Sequence, residues 1–258
     1  MRFVSDRLGG GVRYREFRVD GPNGEIPGGL WTPGADEPGA AGGPAREGDV
    51  RGTPLVLIGH GASGSKQQDY VRHLARHLVL AHSLSAAAID GPVHGDRRQD
   101  SGNDGRLQFL DFVRVWSSEA DLTDKMVGDW SAALDELLLL DEIRLPVGYW
   151  GLSMGTILGL PFVAADKRVS AAVLGLMGLT GPTRDRIATD AGSVTCAVLF
   201  LAQWSDQLFP IASALELFGA IGTDDKRLHA NMGGHGPVPE DEFLGTADFL
   251  AKRLSSTG

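Results

Sequence analysis

Ser153 sits between Gly151 and Gly155 in the stretch PVGYWGLSMGT (146–156), where an apolar run gives way to a helical pattern. A serine hydroxyl is a weak nucleophile until a base removes its proton and a third group orients that base. The chemistry to look for is therefore acyl transfer through serine, with one histidine and one carboxylate in support. In a chain with 36 glycines among 258 residues the pentapeptide GLSMG is weak evidence alone. Its setting strengthens it: a strand ends at Trp150–Gly151, the serine occupies the bend, and an apolar helix follows at once. So sharp a turn strains the backbone at the nucleophile, and side chains at 151 and 155 would collide with the neighbouring strand and helix. Read without partners, Ser153 would be a plain helix N-cap.

Seven histidines compete as the base. His73, His77 and His82 lie in or just after a helix expected at 67–81, far from the strand ends, and His229 lies within the strand KRLHAN. His60 ends a strand, and His94 follows another. His235, in the glycine-rich loop NMGGHGPVP before the last helix, is best placed to swing an imidazole back over the sheet. For the acid, Asp206 in FLAQWSDQLFP stands just past a strand end, whereas Asp224 and Asp225 precede the strand at 226, and Asp166 and Asp185 fit less well. An oxyanion needs two N–H donors. Met154, the residue after the nucleophile, supplies one, and Ala62 in HGASGSK (60–66) the other, with Gly61 and Gly64 permitting a tight path and His60 bracing the loop.

These residues need a scaffold that brings strand ends together. VRYREFRV (12–19) alternates as a half-buried strand, and EIPGGLW (25–31) pairs with it across a turn. Residues 33–53 carry neither periodicity nor bulky apolar groups and read as a flexible connection. From 54 onward short apolar runs alternate with helices: strands at 54–59, 83–90, 146–151, 169–177, 196–203 and 226–231, helices near 67–81, 119–141, 154–165, 210–221 and 239–254, and a short irregular segment after 177. The pattern implies a mainly parallel sheet of about eight strands with helices on both faces, an antiparallel edge, and one α/β domain over 1–258. In such sheets sites form beyond the carboxyl ends of the strands, where the candidates cluster.

The net charge of −9 argues against a phosphate-backbone partner and against adhesion to anionic membranes. No apolar run approaches the roughly 20 residues of a membrane span, and the first residues lack the apolar core of a secretory signal. Cys196 is the only cysteine; it reads as a structural thiol in a buried strand, and a reducing cytoplasm fits. His94 and Asp96 form a His-x-Asp pair without a third spaced ligand, so no metal is expected, and no glycine loop fits a nucleotide or flavin.

In sequence order, HGASGSK after the third expected strand, DGPVHGDR after the fourth, GLSMG after the fifth, SDQLFP after the seventh and GGHG after the eighth resemble the landmarks of the α/β-hydrolase superfamily, over roughly residues 12–254. The resemblance is nearest to dienelactone-hydrolase-like and related single-domain serine esterases, although dienelactone hydrolases proper carry a cysteine where this chain has Ser153. It implies an acyl-serine intermediate on Ser153, with His235 as base then acid and Asp206 as orienter, acting without cofactor on a small-to-medium carboxylic ester. Thioesterase, lactonase, peptidase and acyltransferase chemistry use the same three residues, and a hydrolase-like binding protein would keep the fold without turnover.

Fewer than twenty residues separate the strands at 169–177 and 196–203, too few for a helical lid domain. The 91–125 segment is longer: LQFLDFVRVW (107–116) either roofs the site as a partial cap or packs as an ordinary helix. Leu152, Trp116, Trp204, Leu208 and Phe209 are expected to line the substrate pocket, though most of them also suit core positions. Arg97 and Arg98 read as loop residues, with recognition of a substrate carboxylate as the other reading. A homodimer is compatible with the sequence and not dictated by it.

Overall fold

Three antiparallel strands, β1 (Arg2–Gly9), β2 (Val12–Gly21) and β3 (Gly24–Pro33), open the chain in the computed structural model, which describes residues 1–34, 52–98, 102, 104–236 and 238–255. Apart from its ends, the connection expected at 33–53 lies outside the described residues. β1 was not anticipated. Almost all of its residues are exposed, so it leaves no apolar alternation to read; backbone pairing with β2 and surface ion pairs such as Arg13–Asp6 hold it.

The chain continues through β4 (Thr53–Gly59), α1 (Asp69–His82), β5 (Ser85–Ile89), α2 (Gly105–Ser118), α3 (Leu122–Leu137), β6 (Ile143–Gly151), α4 (Met154–Ala165), β7 (Val169–Gly175), α5 (Arg184–Gly192), β8 (Ala197–Gln203), α6 (Ile211–Ala220), β9 (Lys226–Asn231) and α7 (Glu240–Ser255). The described residues form one nine-stranded sheet in the order β1-β2-β3-β5-β4-β6-β7-β8-β9. β3 meets β5 antiparallel, and from β5 to β9 all neighbours are parallel. The added first strand shifts each later strand by one place from the expected count.

Two cores flank the sheet. On one face α1 and α7 bury residues such as Val71, Leu74, Leu78, Leu250 and Leu254; on the other, α2 to α6 bury Phe112, Trp130, Leu160, Ile187 and Leu217. The segment expected to be irregular after 177 contains α5, a polar helix that buries only Ile187 and Ala191, too little to register as a periodic stripe. The 107–116 stretch is helical, as α2, and the Asp104 carboxylate caps it by accepting from the Arg106 N–H at 2.8 Å. α4 differs from the rest. It is apolar on every side, and Met154 through Ala164 are all buried, so the element behind Ser153 is fixed by packing all round.

Candidate active site

The strand–turn–helix at Ser153 is held from three directions. Ser153 adopts φ 59° and ψ −120°, a conformation side-chain-bearing residues rarely take, which survives only when its surroundings enforce it. Its N–H donates to the Gly175 carbonyl at the end of β7, 2.9 Å away. The buried Thr156 hydroxyl accepts from the Gly175 N–H and lies 2.7 and 2.8 Å from the Gly151 and Gly175 carbonyls. A Cβ on Gly151 would stand 2.6 Å from the Gly155 oxygen, and one on Gly155 would stand 2.5 Å from the Gly59 oxygen in β4. Both contacts are with backbone and cannot be relieved by rotating a side chain.

Ser153, His235 and Asp206 come from three separate strand ends and meet. Ser153 Oγ lies 2.9 Å from His235 Nε2, and His235 Nδ1 lies 2.8 Å from Asp206 Oδ2. A carboxylate only accepts, so Nδ1 carries the proton and Nε2 is left to accept from the serine hydroxyl. The other carboxylate oxygen, Asp206 Oδ1, accepts from the N–H groups of Leu208 and Phe209 at 2.8 and 3.0 Å. The two loops are stitched together: Trp204 N–H donates to the Asn231 carbonyl, Ser205 N–H to that of Gly233, and His235 N–H to Gln207 Oε1.

The loop between β4 and α1 reaches the same edge. Tyr70 Oη accepts the Gly61 N–H at 2.6 Å, and burial pushes the Tyr70 hydroxyl up to about 12. His60 Nδ1 donates to the Gly61 carbonyl and Nε2 accepts from the Gly91 N–H, an arrangement that requires neutral imidazole. Burial, reinforced by His94, takes the His60 pKa down to about 4. His94 Nε2 lies 2.8 Å from the Ala62 carbonyl, and a buried Lys66–Asp90 pair at 2.6 Å ties the far end of the loop to the turn after β5. Among the described residues no protein acceptor takes the N–H of Ala62 or Met154. His60 and His94 are thus braces for this loop.

The comparison with known proteins fits this geometry. The chain is 39% identical to a cold-adapted esterase from an Arctic intertidal metagenomic library in its PEG-bound complex, over 98% of this chain and 100% of that one, with a TM-score of 0.84. The chain belongs to the esterases of the α/β-hydrolase family. A zinc-bound cold-adapted esterase, also from an Arctic intertidal metagenomic library, aligns at 36% identity over 98% of this chain and 100% of that one, with a TM-score of 0.77. The fold alone is shared with the dienelactone hydrolase of Anabaena variabilis ATCC 29413, at 18% identity, 95% and 97% coverage and a TM-score of 0.66. No protein-family model matches the chain, and no curated protein sequence does.

In this esterase Ser153 and His235 open onto a cavity of about 700 Å³, also lined by Tyr70, His73, Trp150, Leu152, Leu176, Val238, Glu240 and Phe243. Of the expected pocket residues only Leu152 lines it. Phe209 packs 5.7 Å from the His235 ring, Trp204 and Leu208 are exposed, and Trp116 donates to Thr183 Oγ1 while stacking on Phe112. The cavity opens between α1 and α7, whereas α2 lies on the opposite face of the sheet, and no α2 residue lines it. Residues 99–101 and 103 of the 91–125 segment lie outside the described residues.

The sequence held a signal for the walls of this cavity. α1 and α7 begin directly after the two loops that carry Ala62 and His235, so their first turns face the site, through Tyr70 and His73 and through Glu240 and Phe243, each pair three residues apart. His73 therefore belongs to the cavity wall, contrary to its expected remoteness. Arg97 pairs with Asp129 at 2.6 Å and Arg98 with Asp111 at 3.1 Å, and neither lines the cavity. The His94–Asp96 pair is spent on hydrogen bonds to Ala62 and Lys66. Among the described residues one group has metal-ligand spacing, His77, His82 and Asp248, none of which lines the cavity.

Proposed function

We propose that the esterase hydrolyses small-to-medium neutral carboxylic esters through an acyl-serine intermediate, with Ser153 as nucleophile, His235 as base and then acid, and Asp206 as orienter. The observation that carries this is the unbroken chain Asp206–His235–Ser153 opening onto a largely apolar cavity. His235 Nε2 takes the hydroxyl proton as Oγ bonds to the ester carbonyl carbon. The resulting oxyanion is stabilised by the N–H groups of Met154 and Ala62. The proton then passes from Nε2 to the departing alkoxide, the alcohol leaves, and a water repeats the sequence on the acyl-serine to release the acid.

Substrate class follows from the walls. Trp150, Leu152, Leu176, Val238 and Phe243 offer apolar contact, and the volume suits a small organic ligand. Among the described lining residues the carboxylates Asp69 and Glu240 are present and no lysine or arginine is. A carboxylate-bearing substrate of the dienelactone kind would meet two carboxylates and no lysine or arginine among these residues, which favours uncharged esters.

The unbroken sheet supports a single domain, and the −9 charge supports the absence of a nucleic-acid partner. The lone Cys196, its thiol pushed up to about 11 by burial, suits a cytoplasmic setting, and the exposed Phe3, Val4 and Leu8 on edge strand β1 are compatible with a homodimer. No helix among the described residues is long and apolar enough to cross a membrane. A p-nitrophenyl ester panel from two to twelve acyl carbons tests the substrate class: turnover is expected for short-to-medium acyl groups. Preference for thioesters, peptides or anionic esters over this panel would contradict it.

A further inference from the structure

A second cluster, on the α1–α7 face and outside the cavity, has its own chemistry. His77 lies in α1, His82 is the last residue of α1, and Asp248 projects from α7. One ligand atom from each lies within 4.8 Å of the other two. His82 Nε2 is 3.2 Å from Asp248 Oδ1 yet is buried without a hydrogen-bond partner, and the His77 and His82 rings meet edge to face at 5.3 Å. We propose that His77, His82 and Asp248 form a zinc site that clasps α1 to α7.

Tetrahedral zinc with bonds of about 2.0–2.1 Å places its ligand atoms about 3.3 Å apart. The His82–Asp248 edge already has that length. The other two edges, each no longer than 4.8 Å, shorten by rotation of the half-buried His77 ring and the exposed Asp248 side chain. Two imidazoles and one carboxylate match zinc's preferred donors and leave a fourth position for water. A simple His82–Asp248 ion pair explains the cluster less well, because it leaves Nε2 without hydrogen-bond geometry and sets a second imidazole against the cation.

The clasp has a structural consequence. α1 and α7 run parallel, with His73 3.0 Å from Glu240 near their N-termini and His82 beside Asp248 farther along. Their first turns supply Tyr70, His73, Glu240 and Phe243 to the cavity. A metal joining the two helices beyond these turns fixes the spacing of two cavity walls without touching the reacting atoms.

The test is a zinc titration of chelator-treated protein in competition with a chromophoric chelator, with melting temperature as a parallel readout. The expected result is one zinc per chain in wild type, in Ser153→Ala and in His73→Gln. Affinity should fall by at least the roughly 10–100-fold seen when even supporting residues of metal sites are lost, in each of His77→Gln, His82→Gln and Asp248→Asn. Zinc should raise the melting temperature of wild type but not of Asp248→Asn, whose exposed position leaves folding intact. Absence of stoichiometric binding, unchanged affinity in the three variants, or loss of binding in Ser153→Ala or His73→Gln would overturn the proposal.

Discussion

Asp206 holds His235 with one oxygen and is itself held by the other: Oδ2 lies 2.8 Å from Nδ1, while Oδ1 accepts two backbone N–H groups. The carboxylate cannot turn away, so the tautomer of the imidazole is set before any substrate arrives. Asp206→Asn puts this to the test. An amide at this position can present its NH₂ to Nδ1 and favour the wrong tautomer, so kcat should fall by about 10⁴-fold. A fall of less than tenfold, measured on p-nitrophenyl acetate, would remove Asp206 from the proposed role.

Backbone contact at the nucleophile turn makes a separate demand. The Cβ of Gly155→Ala would lie 2.5 Å from the Gly59 oxygen, and neither strand nor helix can yield cheaply. The expected cost is about 1–3 kcal/mol of stability, with a loss of kcat as Ser153 shifts. Gly245→Ala in α7 is the control, since nothing lies within 4 Å of its added Cβ. Relief of backbone entropy should make it more stable by about 0.5–1 kcal/mol. Urea unfolding of the two variants reads both signs.

Stability should also depend on pH through His60. Its folded-state pKa of about 4 lies below the ordinary histidine value of 6.5, so the unfolded chain binds a proton that the native state refuses. The contribution is therefore complete above pH 6.5 and is lost as pH falls through about 4, a total of about 3 kcal/mol. Replacing His60 with Gln should flatten this part of the profile relative to wild type in urea unfolding between pH 7 and 4. Parallel profiles would show that His60 is not held neutral.

The cavity walls predict selectivity. Val238→Phe narrows the cavity between α1 and α7 and should shift preference toward shorter acyl chains, by about 10–200-fold in the ratio of kcat/KM for the shortest and longest esters. Trp116→Ala, on the other face, should leave the ratio unchanged. The reverse outcome would return the pocket to the α2 side.

Sequence legibility followed burial and chain order. The meeting of Ser153, Asp206 and His235 could be read because each occupies a loop directly after an apolar strand, and α4 because it is apolar throughout. β1 could not, since backbone pairing holds it and its side chains face solvent. Nor could α5, which buries two residues. Tyr70, Trp150 and Phe243, which line the cavity, lie on elements that local pattern does not join to the loops, whereas Trp204 and Trp116 stand outside its lining. Which face of the sheet opens to solvent is a tertiary fact that local pattern does not carry.

The role of Ser153 as nucleophile is open to covalent labelling by a fluorophosphonate probe, read by intact mass. One adduct per chain is expected in wild type, mapped to Ser153 and absent from Ser153→Ala, with much slower labelling in a His235→Ala variant. An unlabelled wild type, or equal labelling of Ser153→Ala, would contradict it.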